Sequence, residues 1–294
     1  MFPFVAKLSC ENFFTTAQRK TKPQLLTIPY SHYVEFARWS LQSAKIEFDE
    51  VGFAPVQHVF PILNARVNGN NGKKFLLADS STVGGGKSNT ATNVPILILP
   101  NGDALADSWS IAEYSFKEKI DDNLKELFDK QLGPLVRKYA YSFLLNPAEE
   151  NSKIWDKIMT NPEFGNAWDF MYNWILKSKI NGILVNSFKS NNKEEIEECR
   201  VKLVTLFENE LLILVNERKH KFLLRDTVSI LDIALCALAC PLVGHPKYCN
   251  AKFSEFNELE EKDAEYKKDL QFWRNTVVCH YLQLTINFTI SHPM

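Results

Sequence analysis

The chain reads as a small α/β domain of order β-α-β, long insertion, β-β-α, followed by an all-α helical-bundle domain. Three observations lead there. A strand-helix-strand pattern opens at Gln24, a second strand pair with its own helix follows a loop-like stretch, and helical patterning runs almost without pause beyond residue 119. The 294 residues suit two domains better than one, because domains cluster near roughly 100–150 residues.

Residues 24–29 (QLLTIP) form a short apolar run closed by proline, as in a buried strand. From Tyr33 the pattern changes: Val34, Phe36, Ala37 and Leu41 recur on one helical face with Glu35 and Arg38 placed elsewhere, and IEFDEV then alternates as a second strand. Strand, helix and strand fit within roughly 30 residues, the size of a βαβ unit. Residues 64–93 are rich in Asn, Gly, Ser and Thr and lack periodicity, which predicts a long surface insertion. The GGGKS within it is no phosphate loop, since the motif needs a glycine five positions before Gly86 where Ser81 stands, and Pro95 interrupts the helix that should follow.

Residues 96–99 then read as a strand, Asn101-Gly102 as a hairpin turn and residues 104–106 as a return strand. Ser108 opens a helix containing Ile111 and Tyr114; a serine suits the N-cap, and Asp107 suits the positive helix end. Beyond residue 119, breaks are expected at Gly133-Pro134, Asn146-Pro147, Asn161-Pro162, Asn181-Gly182 and His245-Pro246. Trp168, Tyr172 and Trp174 share one helical segment and read as core, with a hydrophobic substrate pocket as the alternative. Ser229 and Asp232 have capping-box spacing ahead of the apolar run IALCALACPLV, so Asp232 is expected to support folding rather than chemistry.

Composition narrows the function. Hydrophobic residues make up 45% and charged residues 23%, enough for ample cores. A formal net charge of −1 supplies no basic field for nucleic acid or anionic lipid. The six cysteines (Cys10, Cys199, Cys236, Cys240, Cys249, Cys279) lack zinc spacing or a Cys-x-x-Cys pair and read as reduced thiols, and the histidines are dispersed, so no metal site is expected. No segment reaches the roughly 18–20 apolar residues of a membrane helix. With no secretory signal, a cytoplasmic protein is expected; the Phe-rich, mildly basic extension at residues 1–23 reads as disordered or strand-like, with organelle targeting as its alternative.

Three motifs carry a family likeness: SHYVEFARWSLQSAKIEFDEV, VPILILPNGDALADSWSIAEY and DTVSILDIALCALACPLV. In this order and spacing they resemble the glutathione transferases over most of residues 24–290, above all a group with an SHYxExARWxL-type opening. The resemblance implies a thioredoxin-like glutathione-binding domain at residues 24–118 and an all-helical domain at residues 119–294. It implies a cis Val94-Pro95 peptide whose Val94 N–H and C=O bind the cysteinyl backbone of glutathione, and Asp107 and Ser108 as receivers of the γ-glutamyl group. Ser31, at the strand-to-helix junction, would steady the glutathione thiolate, with Tyr30 as runner-up; His32 beside it either tunes the site or faces solvent. The implied activity is conjugation of glutathione, as co-substrate, to a small hydrophobic electrophile, a detoxifying transferase that forms a homodimer in the family. The alternative is a non-catalytic glutathione-transferase-like binding or protein-interaction module. Relative to Cys-x-x-Cys redox relatives, Ser31 stands in the first cysteine's place and Val34 in the second's, so no mixed disulfide can form there.

Overall fold

The computed structural model describes residues 21–68, 93–245, 248 and 255–291. Most of the N-terminal extension, the GGGKS segment, Cys10 and Cys249 lie outside the described residues. Strand β1 (Gln24–Thr27) is buried along its whole length. It pairs in parallel with β2 (Asp49–Gly52) and antiparallel with β3 (Ile96–Ile98), which pairs antiparallel with β4 (Ala104–Leu105), giving the order β2-β1-β3-β4. A central strand covered on both faces has to be apolar on both faces. Leu25 accordingly packs with Ala37, Leu41, Leu97 and Ile111, whereas Leu26 packs on the opposite side with Phe53, Ile62, Ala65 and Ile96.

The first of those faces is covered by α1 (His32–Ser43) and α3 (Ser108–Phe116). The second is covered by α2 (Val59–Asn68). Helix α2 runs into what composition assigns to the insertion, because no glycine interrupts it before Gly69 and Ala65 still packs on the sheet. At the β3–β4 hairpin, Gly102 has φ 89° and Asn101 Nδ2 donates to Asp103 Oδ2 at 2.8 Å, as the Asn-Gly signal predicts.

The helical half begins with α4 (Asp122–Glu126), which continues through a π-helical stretch (Leu127–Leu132) into α5 (Gly133–Leu144). The break expected at Gly133-Pro134 is therefore a change of hydrogen-bond register. Gly133 N–H reaches back five residues to the Phe128 carbonyl, which accommodates a proline with no N–H to give. Glycine is required there by contact: a Cβ would collide with the Tyr33 hydroxyl. After α6 (Glu149–Met159) and α7 (Asn166–Met171), a second π-helical stretch (Tyr172–Leu176) leads into α8 (Lys177–Phe188). The break expected at Asn181-Gly182 is absent, because the Asn181 side chain is held inside the helix as acceptor from Trp155 Nε1 at 2.9 Å. Trp168 and Tyr172 are core, but Trp174 is 77% exposed. The π-helical register shift turns it away from its neighbours' face.

Helix α11 (Ile230–Val243) is buried on nearly all sides and packs against α1. Ser229 and Asp232 close the predicted capping box, and Asp232 also accepts the Leu223 N–H at 3.0 Å and the Tyr281 phenol. Against it pack α5, α13 (Ala264–Arg274) and α14 (Val277–Ser291); α9 (Lys193–Leu206) lies on α5, α10 (Leu212–Asn216) on α14, and α12 (Glu255–Lys262) on α6 and α13. One apolar core joins Tyr30, Phe36, Trp39 and Trp109 of the α/β half to Trp155, Ile230 and Trp273 of the helical half. Cys199, Cys236, Cys240 and Cys279 are buried free thiols, their ionisation disfavoured by burial. Among the described residues no helix is long and apolar enough to cross a membrane.

Candidate functional site

Strand register brings the sequence-predicted residues to one end of the sheet. Leu26 faces Ile96 across β1 and β3, so one step further Thr27 stands opposite Pro95. β4 ends at Leu105, opposite Leu97, so Asp107 follows two residues beyond it at the end of the sheet where Pro95 precedes β3. The Val94-Pro95 peptide is cis, as the resemblance implies. Ser31 follows on the same edge, four residues beyond Thr27. Ser31, Val94, Pro95, Asp107 and Ser108 thus gather where β1 and β4 hand over to α1 and α3.

The capping role differs from expectation at α3. Asp107, not Ser108, is the N-cap of α3: its Oδ1 accepts the Ser110 N–H at 2.8 Å and its Oδ2 the Ser110 hydroxyl at 2.6 Å. Ser108 is the first helical residue and is buried. At α1, Ser31 occupies the N-cap with extended backbone (φ −77°, ψ 128°), its N–H bonded to Ile28 O and its carbonyl to Glu35 N–H, both at 2.9 Å. Its hydroxyl makes no capping hydrogen bond. Backbone bonds close the turn at Ser31, and its hydroxyl is left for another partner.

Ser31 lies on the wall of a cavity of about 130 Å³ between the strand-to-helix turn and the helical half. Tyr30 and His32 flank it; Arg137, Tyr141, Tyr248 and Glu260 face them from the helices. Val94, Pro95, Asp107 and Ser108 do not line this cavity. The Tyr30 ring is buried edge-on against Trp155, its hydroxyl 3.7 Å from Met159 Sδ, so it anchors the turn to α6. The Tyr248 phenol donates to the Tyr30 carbonyl at 2.7 Å.

Below the turn sits an ion network that periodicity assigns to the exposed face of α1. Glu35 and Arg38 are both 0% exposed. Arg38 pairs with Glu35, grips Glu50 of β2 through Nε (2.9 Å) and Nη2 (2.6 Å), and donates from Nη2 to the Pro29 carbonyl at 3.2 Å. Thr27 Oγ1 donates to the same Glu50 at 3.1 Å. A buried charge costs several kcal/mol unless paired, and here the pairing ties β1, β2, α1 and the Pro29 carbonyl into one unit beneath Ser31. The signal was present in sequence as a Glu and an Arg three apart on a helix, but their burial depends on Glu50 in the next strand.

The electrostatics of the cavity are set by burial. His32 is 4% exposed and does not face solvent. Desolvation, then the neighbouring Arg137 guanidinium, push its pKa down to about 3 against a Gly133 backbone hydrogen bond, so the imidazole is neutral. The Tyr33 ring lies tilted against His32 with ring centroids 4.5 Å apart, and burial pushes its phenol well up. Asp129, on the first π-helical stretch, is raised to about 7, first by burial and further by Asp107 nearby. Glu260 is held low by Arg274, which grips both its oxygens at 2.6 and 2.8 Å. Of these groups only His32 and Glu260 line the cavity, and Glu260 reaches it through tertiary contact alone. Among the described residues no cluster of three His, Cys, Asp or Glu side chains is placed to hold a metal ion.

The strand order, the cis Val94-Pro95 peptide and the helical half built around α11 together decide the architecture. It is a glutathione-transferase-like fold. No protein-family profile and no curated protein matches the chain. Solved structures do resemble it remotely. A glutathione S-transferase of Methylobacillus flagellatus with glutathione bound is 16% identical, with 84% of this chain and 98% of that one covered and a TM-score of 0.39. One from Ceriporiopsis subvermispora in complex with glutathione is 12% identical over 92% and 97%, with a TM-score of 0.47. Glutathione transferase F7 of Populus trichocarpa is 14% identical over 90% and 100%, with a TM-score of 0.39. The fold assignment rests on strand order, cis peptide and helical half, not on these distant likenesses.

Proposed function

We propose that the protein binds glutathione at the sheet end formed by Val94, Pro95, Asp107 and Ser108 and adds its thiolate to a small hydrophobic electrophile lodged in the cavity beside Ser31. The observation that carries this reading is the Ser31 hydroxyl: it stands at a helix N-terminus on the cavity wall, with no hydrogen bond of its own among the described residues. A free thiol has a pKa of about 8.5, and a hydroxyl donor plus a helix N-terminus favour the charged form. Val94 would present its N–H and C=O to the cysteinyl backbone, and Asp107 would pair with the γ-glutamyl ammonium through lone pairs its Ser110 bonds leave over. The Tyr30 hydroxyl, against Met159 Sδ, is the weaker donor candidate.

A second reading, a glutathione-binding or protein-interaction module without turnover, is favoured by one feature: Ser110 already engages both oxygens of Asp107. Retention on glutathione resin followed by turnover of chlorodinitrobenzene separates the two. Retention with turnover that falls in Ser31→Ala supports the transferase, and retention without turnover in either protein leaves the module. Failure to be retained at all sinks the transferase and the glutathione-binding module alike.

A further inference from the structure

The cavity beside Ser31 holds one cation with no counter-charge. Arg137 reaches it from α5, and no carboxylate among the described residues pairs with it; its Nε is buried without a hydrogen-bond partner. The guanidinium instead lies over two rings, 5.9 Å from the Tyr33 centroid and 5.5 Å from that of Phe188. Phe188 is itself stacked on Tyr141 at 4.3 Å. Such cation–π contacts favour the charge there without using its N–H donors. Glu260, the only carboxylate among the lining residues, is neutralised by both nitrogens of Arg274. His32 next to Arg137 is neutral and its Nε2, buried on the cavity wall, has no partner either. Burial pushes the Tyr141 phenol up to about 12, so it remains a donor. Apart from Ser31, His245 and Asn257, the rest of the wall is aromatic or aliphatic.

Buried polar groups are almost always satisfied in folded proteins, and an unpaired Arg beside an apolar cavity is completed by an anion. We infer that the occupant of this cavity is an amphipathic anion, an aromatic or aliphatic body with a carboxylate or like acidic group, whose charge is gripped by Arg137 with Tyr141 as a second donor. This deepens the proposed transferase by naming the class of its second substrate, and rests on that reading only for the claim that the occupant is a substrate.

The test uses unreactive probes, so that it stands apart from turnover. Binding of para-nitrobenzoate and of neutral nitrobenzene to the full chain is measured by calorimetry without glutathione. A charge-assisted contact predicts that the benzoate binds at least about tenfold tighter than the neutral ring. Arg137→Leu should weaken the benzoate at least about tenfold more than nitrobenzene, and Arg137→Lys, which keeps the charge and loses the fork, should fall between. Equal binding of the two probes to the unaltered protein overturns the inference whether or not the variants fold, as does equal weakening of both by Arg137→Leu. Glutathione-resin retention on the same preparations reports separately on the proposed function.

Discussion

Tyr248 donates its phenolic proton to the backbone carbonyl of Tyr30 at 2.7 Å, tying the residue before Ser31 to the helical half of the chain. That carbonyl belongs to the turn whose shape aims the Ser31 hydroxyl. Tyr248→Phe removes one neutral hydrogen bond, about 1 kcal/mol of stability. Its larger effect is expected on turnover, because the turn loses a tether to the helical half while the sheet end proposed to bind glutathione is left alone. Steady-state kinetics should show kcat reduced with the KM for glutathione nearly constant; a change in KM alone would count against a positioning role.

Arg38 is the keystone beneath the same turn. Arg38→Met strands Glu35 and Glu50 without their cation and leaves the Pro29 carbonyl without that donor, so about 3–5 kcal/mol should be lost. Urea unfolding measures this. A loss under about 1 kcal/mol, the scale of an exposed ion pair, would mean the network is not buried in solution.

Two buried titrations give stability opposite pH slopes. Unfolded, His32 takes up a proton below about 6.5, but folded only near 3, so its contribution is lost as pH falls through that window. Asp129 is the reverse: folded it keeps its proton up to about 7, unfolded only to about 3.8, so stability is lost as pH rises between those values. Each slope approaches about 1.4 kcal/mol per pH unit. His32→Gln should flatten the acid limb, and Asp129→Asn should raise Tm above pH 7 but not below pH 4. Unchanged limbs in both variants would refute the assignments.

Asp232 should behave as a folding residue. Asp232→Ala orphans the N–H groups of Leu223 and Ser229 and the Tyr281 phenol, a loss of at least about 3 kcal/mol when each buried donor costs about 1–3. The measurement is soluble yield and Tm; a fully stable Asp232→Ala with altered kinetics would point to chemistry instead.

What sequence made legible was local. The β-α-β order, the Asn-Gly hairpin, the Val94-Pro95 edge and the Ser229/Asp232 capping box are each written in a few neighbouring residues. What it hid was tertiary. Glu35 and Arg38 look like surface charges until Glu50 closes over them. Gly182 looks like a break until Trp155 and Tyr172 reach for Asn181. The π-helical stretches conceal both the passage through Pro134 and the outward turn of Trp174. Asp107 displaces Ser108 as cap because an Asx side chain can hold both the backbone and the hydroxyl of Ser110, a choice the dipeptide alone leaves open.

The most direct test of Ser31 is the pKa of the bound thiol. Thiolate absorbance of glutathione bound to the protein should titrate below the free value of about 8.5, and in Ser31→Ala it should move back toward that value while glutathione affinity stays nearly the same. Identical titrations for the two proteins would contradict the assignment of Ser31 as the thiolate donor.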